Sequence, residues 1–241
     1  MLLSLAIPCY NEQDNVPLIV ARLKTILARR SDVEVLLIDN GSSDETGARI
    51  EREIDGSPFL RLVTVPVNKG YGYGIKAGLA QARGEVLAWT HADMQTDPQD
   101  VLVAFDRFRA AAGRDVVVKG CRLNRRVAES GFTFGMQLVA SAALGARLSD
   151  VNAQPKLFSR AFHELYLAQG APDDFSLDLY MLYCARRGGY DIIEVPVVFA
   201  ERLHGEAKGG GQWRTRIKLI RRTFAYIFEL RRSLSGRESS R

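Results

Sequence analysis

Five short, largely apolar runs punctuate the first half of the chain: Leu3–Ile7, Val33–Ile38, Leu60–Val65, Glu85–Thr90 and Asp115–Val118. Between them lie stretches with helical spacing. Val16, Ile19, Val20, Leu23 and Leu27 share one helical face, with Asp14 as a plausible cap. A helix is expected after the turn-rich Asp39–Asp44 loop, a Gly-rich loop runs into a helix over Gly70–Ala82, and Pro98 opens another, since proline is tolerated in a first turn. Nearly continuous apolar strands alternating with helices predict an α/β fold whose mostly parallel sheet is covered on both faces. Ligands in such sheets lie outside the carboxyl ends of the strands. Three polar segments fall there: Tyr10-Asn11-Glu12, Asp39-Asn40-Gly41 and His91-Ala92-Asp93.

The rhythm changes beyond residue 120. Helical spacing returns over Val127–Leu148 and Asp174–Arg187, and Pro155–Ser159 and Asp191–Phe199 read as strands. Gly209, Gly210 and Gly211 form a flexible joint. Trp213–Leu234 is then amphipathic, with Trp213, Ile217, Ile220, Phe224, Ile227 and Phe228 set against Arg214, Lys218, Arg221, Arg222 and Arg232. The expected division is an α/β domain over 1–208 and a joint with a basic amphipathic helix over 209–241.

Charge sharpens that division. The net charge of +5 over 241 residues is not evenly spread. From Arg202 onward there are 11 Lys and Arg against 3 Asp and Glu, a balance of +8, which leaves −3 for the rest. The basic end suits an anionic partner, either phosphates or a membrane surface. Nucleic acid is disfavoured, because the acidic loops at the strand ends repel a polyanion. The three cysteines, Cys9, Cys121 and Cys184, have no metal-like spacing and are odd in number, which points to reduced thiols and a cytoplasmic setting. The opening residues lack a basic n-region and read as a strand, not a signal peptide. No run reaches the roughly 20 apolar residues of a membrane span.

Four motifs carry candidate chemistry: Pro8-Cys9-Tyr10-Asn11-Glu12, Ile38-Asp39-Asn40-Gly41-Ser42-Ser43-Asp44, Asn68-Lys69-Gly70-Tyr71-Gly72-Tyr73-Gly74, and Thr90-His91-Ala92-Asp93-Met94-Gln95. Each alone reads as a strand end, a helix cap or a turn. Their order and spacing together resemble the family 2 glycosyltransferases of the GT-A (nucleotide-diphospho-sugar transferase) fold. The closest likeness is to the dolichol-phosphate mannose synthase and polyprenyl-phosphate glycosyltransferase branch, over roughly residues 3–208.

The resemblance implies a nucleotide-sugar donor, inversion at the anomeric carbon and a polyprenyl-phosphate acceptor at the membrane surface. It makes Pro8, Tyr10, Glu12 and Asp39 contacts to the nucleotide, whose ribose hydroxyls and base N–H groups suit carboxylate acceptors. Asn68, Lys69 and Gly70 would lie beside the donor, as would His91 and Ala92. The family's Asp-x-Asp motif implies a divalent cation, Mg²⁺ or Mn²⁺, held against the diphosphate by Asp93, with Gln95 and His91 as further candidate ligands. His91 departs from the pattern, because the family has Asp there. Three roles stay open to it: a ligand to Mn²⁺, a hydrogen bond to the donor phosphates, or an inert replacement.

Asp150–Ser159 resembles the acceptor-side segment, or is a loop entering an edge strand. Asp178 matches the carboxylate that serves many inverting members as general base. The alternatives are a role in binding, since an acceptor phosphate needs no base, and an acidic first turn after Asp173 or Asp174 as cap. Phe199–Lys208 resembles the Arg-x-x-Gly-x-Ser-Lys loop, whose Arg202 and Lys208 would meet phosphates while Ala207 replaces the Ser. The C-terminal helix either docks on a membrane or packs on the protein or a partner subunit, and oligomeric state is not readable. Two other functions fit the same residues: transfer to a soluble glycan or small molecule, and non-catalytic binding of a nucleotide-sugar.

Overall fold

The computed structural model describes residues 2–123, 149–204 and 226. The helices expected over 127–148 and 213–234, the glycine joint and Lys208 lie outside them. Two compact units divide the chain, residues 1–124 with 152–204 and residues 125–151 with 205–241. The first contains every element described here.

Its centre is a seven-stranded sheet in the order β3-β2-β1-β4-β6-β5-β7. The strands are β1 Leu3–Cys9, β2 Val33–Asn40, β3 Leu60–Val65, β4 Val86–Trp89, β5 Val116–Arg122, β6 Lys156–Ser159 and β7 Asp191–Val197. β3, β2, β1 and β4 are mutually parallel, as are β5 and β7. β6 runs antiparallel to both β4 and β5. The segment read as strand-like is therefore an interior strand and not an edge. Its side chains meet protein on every side, which is why Lys156 at its start is fully buried.

Helices α1 (Val16–Leu27), α2 (Thr46–Ile54), α3 (Tyr71–Ala80) and α4 (Gln99–Ala110) alternate with the first five strands. After β6 come a short α5 (Arg160–Phe162) that continues into a π-helical turn over His163–Leu167, and then α6 (Ser176–Arg187). Side-chain alternation sends Leu3, Leu5, Ile7 and Cys9 of β1 into one core with the apolar stripe of α1 and with Val101, Leu102 and Phe105 of α4. The five stripe residues of α1 are essentially inaccessible, each contributing roughly 2 kcal/mol of gross burial. That burial holds α1 in place without a side-chain cap. The capping residue is Asn15, which makes no such bond, in place of the expected Asp14.

Ahead of α4, whose capping residue is Pro98, the Asp97 carboxylate accepts from the Gln99 amide at 2.9 Å. Burial, and then the charge of Asp97, push the nearby Asp100 carboxyl up to about 6. The native state thus takes up this proton more readily than the unfolded chain. Its contribution to stability is full below the unfolded value near 4 and is lost as pH rises through about 6. Asp100→Asn should therefore stabilise at pH 8, by about 1 kcal/mol after allowance for partial exposure, and give roughly half that gain at pH 5, midway through the loss. Urea midpoints at the two pH values measure the difference.

Candidate active site

The chain crosses from β1 to β2 on one side of the sheet, while β4 lies on the other side of β1. Such a switch point opens the carboxyl ends of two neighbouring strands to the same space. Glu12, just past β1, and Asp93, just past β4, are brought together there. Arg202, beyond β7, spans them: its Nη1 lies 3.3 Å from Glu12 Oε1 and its Nη2 2.5 Å from Asp93 Oδ2. Segments 81 and 109 residues apart along the chain meet at one guanidinium.

Each carboxylate is held by its own surroundings. The Gln95 amide donates to Asp93 Oδ1 at 3.1 Å, in a turn that places Met94 in the left-handed region at φ 57°. Asn15 Nδ2 donates to Glu12 Oε2 at 2.5 Å, and the Glu12 amide donates to Thr46 Oγ1 at 2.8 Å. That last bond and the pairing of Asn11 with Ser42 and Ser43 stitch the loop after β1 to the loop after β2. Asp39 is the last residue but one of β2, at the entrance to this second loop. Its Oδ1 accepts from the Ser42 amide at 3.0 Å, and its Oδ2 faces Gly47, where a Cβ would come within 2.5 Å. The buried thiol of Cys9 reports the clustering: burial first, then the charges of Glu12, Asp39 and Asp44, push it far up. Pro8 pairs with Ile38 one residue before the end of β1, Tyr10 follows the strand, and Ala92 is buried between His91 and Asp93.

The Gly-rich segment has a different environment. Gly70, at φ 130°, lies against the Asp173 carbonyl, leaving no room for a Cβ. The Tyr73 amide donates to that same carbonyl, and Lys76 pairs with Asp173 at 2.8 Å. Asn68 Oδ1 accepts from the Gly70 amide, and Lys69 lies over the Tyr73 ring at 5.0 Å. The first turn of α3 is thus packed against residues 172–174.

A second buried network adjoins the first. One oxygen of Asp178 takes three donors: Trp89 Nε1 at 3.3 Å, Gln154 Nε2 at 3.0 Å and Lys156 Nζ at 3.1 Å. Gln154 also donates to the Tyr71 hydroxyl, which shares a 3.2 Å hydrogen bond with His91 Nε2. Tyr71 stacks on Phe175 with ring centroids 4.8 Å apart. Burial chiefly, with help from Lys156 and Arg202 and against Asp93 and Asp178, moves the His91 pKa below its ordinary value. The shift favours the neutral imidazole. Ahead of α6 the Ser176 amide donates to the Asp174 carboxylate at 2.8 Å, while the capping residue itself is Phe175, which makes no side-chain cap bond.

Sequence reasoning named Glu12, Asp93, Asp178 and Arg202 but not Trp89, Gln154, Lys156 or Tyr71. Lys156 and Tyr71 stood inside motifs already singled out, yet a lysine in a strand gives no sign that it is buried beside a carboxylate.

Among the described residues no three His, Cys, Asp or Glu side chains converge as a ready-made metal cage. The donor set at the switch point still suits a hard cation. Two carboxylates with side chains less than a tenth exposed already accommodate one positive charge, the guanidinium between them.

The strand order and its flanking helices form a GT-A-like α/β fold. The chain belongs to glycosyl transferase family 2, whose pattern it matches over residues 4–146. It is 31% identical over 214 residues to the undecaprenyl-phosphate 4-deoxy-4-formamido-L-arabinose transferase of Pseudomonas fluorescens strain Pf0-1, covering 85% of this chain and 59% of the relative. The Klebsiella pneumoniae strain 342 protein of that name is 30% identical over 210 residues, covering 85% and 62%. The chain thus spans about three fifths of the length of these curated relatives. The same fold occurs in glucosyl-3-phosphoglycerate synthase of Mycobacterium tuberculosis, solved with Mn²⁺, uridine diphosphate and glucosyl-3-phosphoglycerate. That comparison has a TM-score of 0.71 at 20% identity, covering 95% of this chain and 79% of the other. No helix among the described residues is long and apolar enough to cross a membrane.

Proposed function

We propose that the chain moves a sugar, with inversion, from a nucleoside-diphosphate sugar to a polyprenyl phosphate, assisted by a divalent cation. The observation that carries this reading is the meeting of Glu12 and Asp93 at the switch point under Arg202. The named acceptor of the Pseudomonas and Klebsiella relatives and the Mn²⁺ and uridine diphosphate of the mycobacterial synthase support it.

In this reading Pro8, Tyr10, Glu12 and Asp39 hold the nucleoside. Asn68, Lys69 and Gly70 shape the donor side from behind, as the backing of α3. Asp93 holds the cation, with His91 Nδ1 and Gln95 Oε1 as the neighbouring atoms able to join it. When bound, the cation offsets charge on the departing diphosphate. The acceptor phosphate is already ionised at neutral pH, so its oxygen attacks the anomeric carbon without a base. The bond from that carbon to the diphosphate oxygen breaks, and its electron pair leaves with the nucleoside diphosphate. Asp178, nearly inaccessible and triply bonded, then acts by holding Gln154, Lys156 and Trp89. Arg202 supplies charge to the phosphates, and the resemblance assigns Lys208 the same task. The basic stretch from Arg202 onward suits the anionic cytoplasmic face of a membrane.

The test is nucleotide release from a panel of nucleotide-sugars with Mn²⁺ or Mg²⁺, with and without undecaprenyl phosphate in mixed micelles. Release that requires both the cation and the lipid phosphate is the expected result. Release with a soluble glycan or phosphorylated small molecule alone moves the acceptor to that class. A donor that binds but is never consumed with any acceptor leaves a nucleotide-sugar-binding protein and sinks the enzyme reading.

A further inference from the structure

The segment after β7 lies across the switch point as a strap. The Ala200 amide donates to the Gln95 carbonyl at 2.7 Å, and Gln95 Nε2 donates back to the Ala200 carbonyl at 3.2 Å. Asn15 Nδ2 reaches the His204 carbonyl at 3.3 Å. Between these ties Arg202 bridges Glu12 and Asp93, with its own side chain only 17% exposed. Its Nε is buried and has no hydrogen-bond partner. The strap thus joins the loops after β1, β4 and β7 through the two side chains on which a cation and a nucleotide would depend.

We propose that Arg202 is a latch: without ligand its guanidinium holds the place of the divalent cation at Asp93, and a nucleoside diphosphate arriving with the cation draws it off onto phosphate. This rests on the glycosyl-transfer reading above and adds an order of events to it. A cation alone must displace a charge-assisted bond at Asp93 and leave Arg202 with one carboxylate fewer. A diphosphate removes that cost, because its oxygens accept from the guanidinium fork, including the Nε that now lacks a partner. Cation and nucleotide therefore bind with positive coupling, each favouring the strap position that the other needs. The guanidinium also screens the two closely placed carboxylates, which would otherwise repel one another at the strand ends.

Mn²⁺ binding to the full chain, read from the electron paramagnetic resonance of free Mn²⁺ with and without uridine diphosphate, tests the latch without reference to turnover. Two variants are compared with wild type. Arg202→Ala removes the competing cation. Ala200→Pro keeps Arg202 and its charge but deletes the amide that ties the strap to Gln95. Ala200 is exposed, so the core is untouched.

Both variants should bind Mn²⁺ alone about tenfold more tightly than wild type, with uridine diphosphate improving the affinity correspondingly less. Tightening in Arg202→Ala with wild-type affinity in Ala200→Pro is a plain charge effect and overturns the latch. Unchanged affinity in both variants overturns it as well. Those outcomes leave the sugar-transfer reading intact, whereas a wild-type protein that binds neither Mn²⁺ nor uridine diphosphate removes that reading and the latch with it.

Discussion

Replacing Asp93 with asparagine is expected to lower sugar transfer by about a thousandfold while leaving the fold in place. Asparagine has the shape of aspartate and its carbonyl oxygen can still accept from the Gln95 amide, so the turn after β4 keeps its local bond. What disappears is the negative charge that Arg202 meets at 2.5 Å and that a cation would meet there. The loss should fall on kcat more than on nucleotide affinity, because Glu12 and Asp39 keep their own hydrogen bonds from Asn15 and Ser42. Steady-state turnover and nucleotide affinity without cation separate the two effects. Turnover within tenfold of wild type would mean that Asp93 does not hold the cation.

The second large effect is on stability. Lys156→Met should cost about 3 kcal/mol, because it leaves Asp178 charged and nearly inaccessible with only neutral donors, Trp89 and Gln154, against it. At roughly 2–4 °C per kcal/mol for a chain of this size, the melting temperature drops by about 10 °C. Lys156→Met combined with Asp178→Asn should recover most of that loss, since a buried pair removed together strands no charge. Differential scanning calorimetry of the two proteins decides it. A single variant that melts within 2 °C of wild type, on the order of half a kcal/mol, would show that the pair does not anchor the sheet. Sugar transfer by the double variant then reports on Asp178 itself: a general base would be missed when the acceptor is a hydroxyl, and not when it is a phosphate.

Much of this protein can be read along the chain because the information is local. The strand–helix alternation through Arg122 follows from apolar runs and helical stripes, and the element limits agree with the sequence expectation to within a few residues. The four motifs could be recognised because turns after parallel strands concentrate polar residues where ligands bind, and their spacing survives in one dimension. The direction of β6 could not be read. Four residues, Lys-Leu-Phe-Ser, carry no mark of whether they run with or against their neighbours or lie at an edge.

The sequence by itself determined the class of fold, the family and which carboxylates stand at strand ends, because these depend on residue type and on spacing along the chain. Only the tertiary structure decided which of them meet. Glu12 and Asp93 come together because β4 pairs with β1 across the reversal of strand order. Arg202 joins them because β7 ends on the same side of the sheet. Asp178 turns inward onto Lys156 because β6 is enclosed between β4 and β5. Charge in a sequence has sign but no position, and the position sets whether a carboxylate binds a cation, a nucleotide or a buried lysine.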